Sequence, residues 1–188
     1  VFLNLERPCF KTLRGVYLER QLLGLVSEAL AETIARVDEQ YRVVKLFDVN
    51  VLIYAHRQDL PQHEIARVFW ESQLNQPQVF GLSELVLSVF IRIVTNPKVF
   101  KVPTALNDAV DAIDRVRGRK NAVMVRPGPR HYDLFVEQCR RSNAKDTLVA
   151  DAYHAALAIE HGCEWVSYDR DFARFDDLRW ARLDLSRL

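Results

Sequence analysis

Cysteine is scarce in this chain, and its placement excludes two common ways of holding a fold together. Cys9, Cys139 and Cys163 are odd in number, far apart and free of any CxxC pair. They supply neither a disulfide framework nor a zinc site, and they fit a reducing cytosol, so a cytoplasmic protein is the expectation. Long apolar runs are also missing. The best candidate, ELVLSVFIRIV (84–94), carries Arg92 and falls short of the roughly 18–20 residues a membrane span needs. No membrane partner is expected. The opening residues, VFLNLERPCFK, lack the charged, apolar, small-residue order of a secretory signal. There is no internal repeat and no low-complexity tract. His56, His63, His131, His154 and His161 share no ligand spacing, so none is assigned to a metal or to a general base.

Net charge is also nearly absent, at +1, but its distribution is uneven. Nine Lys or Arg residues fall between Arg115 and Lys145, among them Arg115, Arg117, Arg119, Lys120, Arg126 and Arg130, against only Asp133 and Glu137. Such a stretch can track a phosphate backbone; the plainer reading is a solvated face.

What is present suffices for one substantial domain. The 188 residues are 49% hydrophobic and 27% charged, a globular composition with material for a sizeable core. Residues 1–43 differ from the rest: six basic residues balance six acidic ones. From Tyr17 onward Leu22, Leu23, Val26, Ala29, Leu30, Ile34 and Val37 form one stripe, which predicts an amphipathic helix over 17–41. We divide the chain into an N-terminal helical extension, 1–43, and a main domain, 44–188.

From Val43 short apolar strands alternate with helices, the pattern of an α/β fold with a parallel sheet covered on both faces. Strands are expected at 43–47, 79–82, 122–125 and 164–168, with a last one at 181–185. Asp59 and Pro61 suit the start of a helix reaching about Leu74. Ser83 can cap a helix ending near Thr95, and Thr104 one that stops at Gly118. After Pro127-Gly128-Pro129 a helix runs to about Ser142. Another begins at Asp146 or Thr147 and ends at Gly162, a position suited to a left-handed terminator.

In open α/β sheets ligands bind beyond the carboxyl ends of the strands, and this sequence puts its oddly placed acids there. Asp48 follows the first strand in KLFDVNVLIYAHR (45–57), and Asp169 follows the fourth in WVSYDRDF (165–172). Glu84 sits in the first turn after the second strand. Asp151 is the only charged residue of TLVADAYHAALAI (147–159). Ordinary explanations exist: Glu84 is favourable at a helix N-terminus by dipole alone, and Asp169 suits a turn. Asp151 and Asp48 resist them, because their neighbours are apolar. Two carboxylates about 5 Å apart repel by roughly 3 kcal/mol at an effective dielectric near 20. No Lys or Arg lies within two residues of Asp151, and the nearest to Asp48 in sequence is Lys45. If the acids converge, a divalent cation resolves the repulsion, and all-oxygen ligands suit Mg²⁺ or Mn²⁺.

The ordered set FDVNVLIYAH (47–56), GLSELVLSVFIRIVTNPKVF (81–100), DTLVADAYHAALAIEHG (146–162) and WVSYDRDFARF (165–175) resembles PIN-domain proteins. In particular it is similar to the VapC ribonuclease toxins of bacterial toxin–antitoxin pairs, over about 44–185. The resemblance implies a PIN-like three-layer fold and a metal-dependent endoribonuclease with an acidic pocket. It also implies an RNA substrate, a cognate antitoxin and a homodimer. Carried over by position, Asp48, Asp151 and Asp169 match the metal-binding acids. Glu84 is a departure, since many relatives place a glutamate further along that helix, near Val89. Asn50, Ser167 and Arg92 are expected to support the site: Asn50 through Asp48 or a water, Ser167 through a carboxylate, Arg92 as a balancing charge or phosphate contact. Asp146 and Asp171 are read as helix caps. The basic stretch would supply RNA contacts. Two other classes stay open. One is a PIN-like binding module whose catalysis is weakened by the displaced second acid. The other is a phosphotransferase of the haloacid-dehalogenase type, which wants an aspartate where Asn50 stands.

Overall fold

The computed structural model describes residues 43–183; the helix expected over 17–41, and the extension built on it, lie outside them. Five short strands form one sheet: β1 (Lys45–Phe47), β2 (Phe80–Ser83), β3 (Ala122–Val125), β4 (Glu164–Ser167) and β5 (Arg179–Arg182). Their order is β3-β2-β1-β4-β5, and every pairing is parallel. Six helices flank the sheet: α1 (Val49–His56), α2 (His63–Asn75), α3 (Glu84–Val94), α4 (Leu106–Arg117), α5 (His131–Arg141) and α6 (Thr147–His161). None of these described helices is long and apolar enough to cross a membrane.

Alternation along the strands explains how both faces are filled. Leu46 is paired with Trp165 and Phe47 with Val166, so Leu46 and Trp165 share one face while Phe47 points to the other. Phe47, 3% exposed, meets Trp70 of α2 edge-on at 5.0 Å and Phe80 at 6.2 Å. Trp165, fully buried, stacks on His154 of α6 at 5.0 Å and lies 5.3 Å from Phe172. Burying each such aromatic contributes about 2–3 kcal/mol. Gly81 is required where β2 lies against β1, because a Cβ there would come 2.6 Å from Leu46 Cδ2.

The chain departs from β1 to β2 and β3 on one side, then returns to β4 and β5 on the other. The reversal leaves a crevice at the carboxyl ends of β1 and β4, where open sheets receive their ligands.

One element was not anticipated, and three local expectations need correction. The stretch VNVLIYAH forms a helix, α1, immediately after Asp48; Val51, Leu52 and Ile53 are all buried, so no polar stripe announces it. Thr104 does not cap α4, whose N-cap is Ala105; its Oγ1 instead accepts from Arg57 Nη1 at 3.1 Å. Ser83 stands at the N-cap of α3 without a side-chain cap bond. The last strand lies at Arg179–Arg182, earlier than 181–185, because Trp180 pairs with Trp165.

Gly162 ends α6 with φ 63°, as its position implied. At the other end Asp146 holds φ 53° and ψ −122° and makes no side-chain cap bond. An L-residue is strained there. Replacing Asp146 with glycine is expected to stabilise the protein by about 1 kcal/mol, read as a shift in the urea midpoint at unchanged slope.

Candidate active site

The site begins with why Asp48 is where it is. Its backbone N–H still belongs to the sheet, donating to Val166 O at 3.0 Å, while its Oδ1 accepts from Val49 N at 2.6 Å as the N-cap of α1. One residue thus closes a strand and opens a helix. Its second oxygen, Oδ2, accepts from Ser167 Oγ at 2.5 Å and from Asn50 Nδ2 at 2.8 Å. Asn50 Nδ2 also donates to Ser167 Oγ at 3.0 Å, and the Asp169 N–H to the same oxygen at 2.9 Å. The Tyr168 N–H reaches Asn50 Oδ1 at 3.4 Å. The expected supporting roles of Asn50 and Ser167 therefore have a geometry: together they bind the end of β4 to the carboxylate that ends β1.

Asp48 is 7% exposed. Burial pushes its carboxyl up to about 6, against the pull of the Ser167 and Val49 bonds, and the charge of Asp169 adds to the rise. Asp151, half-buried on α6, is pushed up to about 7 by desolvation first, then by the charges of Asp48, Asp169 and Asp171. The three expected aspartates thus act on one another across the crevice. Asp171 is a fourth that sequence reading set aside as a cap. It is the capped residue: its N–H donates to Asp169 Oδ1 at 2.9 Å in the 3₁₀ turn Arg170–Arg174. The signal was the YDRDF spacing, which puts two acids on one tight turn.

Glu84 stands apart, correcting the expectation that it joins the other acids. Its side chain is 60% exposed and pairs with Arg126 Nη2 at 2.6 Å, which holds its carboxyl below the usual range. It is not among the charges acting on Asp151. Direction explains the separation: Glu84 lies in the first turn of α3, beyond β2 and towards β3, whose following residue is Arg126.

The basic stretch divides in the same way. Arg126 is engaged by Glu84, Arg117 lies 3.4 Å from Asp114, and Arg119 donates to Asn75 Oδ1 at 3.0 Å. Arg115 lines an apolar groove beside His56. Lys120 and the Arg130 side chain are exposed. The Arg130 backbone N–H and that of Gly128 both donate to the Glu160 carboxylate, at 2.9 and 2.8 Å, which fixes the turn that carries it. Arg92 is exposed in the last turn of α3.

The donor chemistry at the crevice fits a hard divalent cation. Asp48, Asp151 and Asp169 offer only oxygen, desolvation and mutual repulsion raise the first two, and no positive charge acts on Asp151. Among the described residues no three His, Cys, Asp or Glu side chains are grouped closely enough to hold a metal ion as they stand, so an ion would have to draw these carboxylates together or bind through fewer of them with water. An open set is what Mg²⁺-type sites use, since that ion keeps several waters.

Comparison with known proteins identifies the domain. The model of the PIN domain matches residues 45–178. Ribonuclease VapC43 of Mycobacterium tuberculosis is 44% identical over 133 residues, covering 71% of this chain and 90% of that protein. Ribonuclease VapC25 of the same organism is 39% identical over 137 residues, 73% of this chain and 96% of its own length. Among solved structures, VapBC2 from Rickettsia felis, bound to a DNA fragment from their promoter, superposes with a TM-score of 0.55 at 14% identity, covering 76% of this chain and all of that one. At that identity the likeness speaks for the fold.

Proposed function

The chain belongs to the PIN-domain family, and on that premise we propose that it is an endoribonuclease, the toxin of a VapBC-like toxin–antitoxin pair, that hydrolyses RNA phosphodiesters with a divalent metal. The observation that carries the reading is the junction of β1 and β4, where a buried Asp48 is held by Ser167 and Asn50 and shares its field with Asp151 and Asp169.

Asp48, Asp151 and Asp169 would hold the ion, Mg²⁺ or Mn²⁺. When bound, it supplies Lewis acidity towards the phosphate and offsets the charge that builds on it. The chain supplies the rest. Ser167 and Asn50 hold Asp48 Oδ2 in one orientation before any ligand arrives, so no reorganisation is needed at the moment of reaction. Asp169 is tied to the same knot by its own N–H on Ser167. Asp151, protonated up to about pH 7 without metal, must release its proton when a cation arrives, so metal affinity rises with pH. Of the basic side chains, Arg130 follows the carboxyl end of β3, on the edge of the sheet that carries the site, whereas Arg115, Arg117, Arg119 and Lys120 precede that strand at the opposite edge; with Arg92 they are candidates for phosphates further along the RNA. Glu84 and Arg126 are each other's partners before they are anything else.

The antitoxin is the expected protein partner. An apolar groove of about 540 Å³, lined by Leu52, Trp70, Leu74, Leu87, Phe90 and Ile113 with Arg115 and Arg119 beside it, would seat an apolar segment of that partner. We assign the ribonuclease to 44–188 and treat 1–43 as an extension, and we place the protein in the cytoplasm as a homodimer.

Cleavage of RNA in Mg²⁺ or Mn²⁺ and its loss in EDTA, recovered on adding either ion back, is the expected result. Divalent ions that neither stimulate cleavage nor raise the melting temperature would favour the second reading, a binding module, which the engagement of Glu84 by Arg126 supports.

A further inference from the structure

The loop that joins β3 to α5 is fastened at three points. Its sequence is Arg126-Pro127-Gly128-Pro129-Arg130. The two prolines have no N–H to give, so within 127–130 the backbone donors are those of Gly128 and Arg130. Both go to one carboxylate, Glu160 in the last turn of α6, at 2.8 and 2.9 Å. The next residue, His161, holds the start of the loop, its Nε2–H donating to Arg126 O at 2.8 Å. The Glu160 side chain is 7% exposed, and a Cβ on Gly128 would come 2.7 Å from its Oε1. Buried charges are ordinarily paired with an opposite charge. Here backbone N–H groups satisfy the carboxylate, and the two arginines that flank the loop stay exposed. Arg126 turns its fork to another anion, the exposed Glu84, with Nη2 and Nε at 2.6 and 3.2 Å from Oε1. Among the described residues no hydrogen bond or ion pair engages the Arg130 side chain.

Strand register places this loop relative to the site. Leu46 pairs with Gly81, and Gly81 with Val123. Asp48 therefore stands level with Val125, and Arg126 one residue beyond, at the same edge of the sheet. Only β2 separates β1 from β3, so the lateral distance is two strand spacings, about 10 Å. We propose that the turn 126–130 is a subsite for a phosphate of the RNA outside the cleaved bond, filled by the Glu84 carboxylate until RNA displaces it, and that Glu160 is the residue that positions it. The proposal rests on the ribonuclease reading and deepens it by naming where a second phosphate of the substrate is held. A guanidinium fork that closes on a carboxylate presents the same donors to a phosphate. An ion pair as exposed as that of Arg126 and Glu84 is readily exchanged for another anion. Fixing the backbone of the turn from beneath leaves both arginines aimed outward before RNA arrives, so less order has to be imposed on binding.

The test measures the affinity of the full chain for a single-stranded oligoribonucleotide in EDTA, where no cleavage occurs, between about 0.05 and 1 M salt. Removing one phosphate contact lowers the slope of log K against log salt by about 0.7, so the loss is about fourfold greater at 0.15 M than at 1 M. Arg130→Gln is expected to show that change, uniformly across RNA sequences. Glu84→Gln is expected to tighten binding roughly two- to fourfold, and the gain should vanish when Arg126→Gln is added. Glu160→Gln turns an N–H towards one of the two N–H groups it must accept from, and Gly128→Ala pushes the carboxylate aside. Each should lower the slope as Arg130→Gln does, add little to that variant, and leave kcat at saturating RNA within about twofold of wild type. Arg126→Gln and Arg130→Gln are surface changes that should melt like the wild type. A wild-type salt slope in the Arg126→Gln/Arg130→Gln double variant overturns the subsite, whatever that variant loses towards an acidic protein. A Glu84→Gln gain that persists without Arg126 overturns Glu84 as its occupant. Glu160→Gln and Gly128→Ala variants that melt lower but keep the wild-type slope reduce Glu160 to a structural role and overturn its part. If the wild type cleaves no RNA with any divalent ion, the ribonuclease reading fails, and the binding slopes still decide the subsite.

Discussion

Asp48→Asn is expected to lower RNA cleavage by about 10³-fold, since a ligand that organises a metal is worth several kcal/mol in the transition state and about 1.4 kcal/mol is a factor of ten. The fold should survive. Asparagine is as good an N-cap as aspartate, so the bond to the Val49 N–H is kept. Ser167 Oγ already accepts from Asn50 Nδ2 and from the Asp169 N–H, so the new amide must displace one of them or go without, and Asn50 Nδ2 keeps Ser167 as its one acceptor. Against that loss stands the removal of a desolvated charge. The variant should therefore melt at or above the wild-type temperature in EDTA while losing the stabilisation that Mg²⁺ or Mn²⁺ gives the wild type. Cleavage within tenfold of wild type would remove Asp48 from the metal site. Asp48→Ala is a poorer experiment, because it deletes the cap as well.

The second large effect is on stability and runs against the usual direction for acids. Asp48 titrates near 6 in the folded protein and near 3.8 unfolded, so between those values the folded state binds more protons. Stability from this group is full below about pH 4 and is lost as pH rises through 6. The shift corresponds to about 3 kcal/mol, or about 6–12 °C in melting temperature for a domain of this size. Asp151 adds to the loss up to about pH 7, with its share damped by solvent because it is half-exposed. Other carboxylates impose the opposite slope, so the measurement is a difference. In EDTA, the melting temperature of Asp48→Asn/Asp151→Asn minus that of the wild type should grow from pH 4 to pH 7. Saturating Mg²⁺ should shrink the gap at pH 7 and above. A difference that is flat across this range in EDTA would mean the two carboxylates are not penalised by burial. A difference that grows as expected means that the native site is destabilising on its own, the form strain takes when a binding centre is kept ready for a cation.

Much of this was legible before any coordinates. Four of the strands and the three aspartates could be read because apolar runs with a carboxylate at the end have few explanations in a parallel sheet. The helix α1 could not. Val51, Leu52 and Ile53 are buried in succession, so periodicity had nothing to contrast, and the β-branched residues gave no helical signal. Missing α1 meant missing why Asp48 precedes Val49: the carboxylate caps the helix as well as facing the crevice. Asp171 was hidden by the same ambiguity, an acid in a turn being ordinary until its neighbours are known. Glu84 shows the converse. Its position at a helix start after a strand suggested the pocket, but the direction in which α3 leaves the sheet depends on tertiary packing, and there Arg126 is nearer.

The shortness of the strands has one more consequence. With β5 at one border of the sheet, a row of backbone donors and acceptors has no neighbouring strand among the described residues, a template on which a stray chain could grow. Arg179 and Arg182 stand at the two ends of that border strand and are exposed. A second molecule adding itself there would bring its own pair of guanidinium groups against them, so like-charge repulsion guards the edge and keeps concentrated protein from polymerising along it.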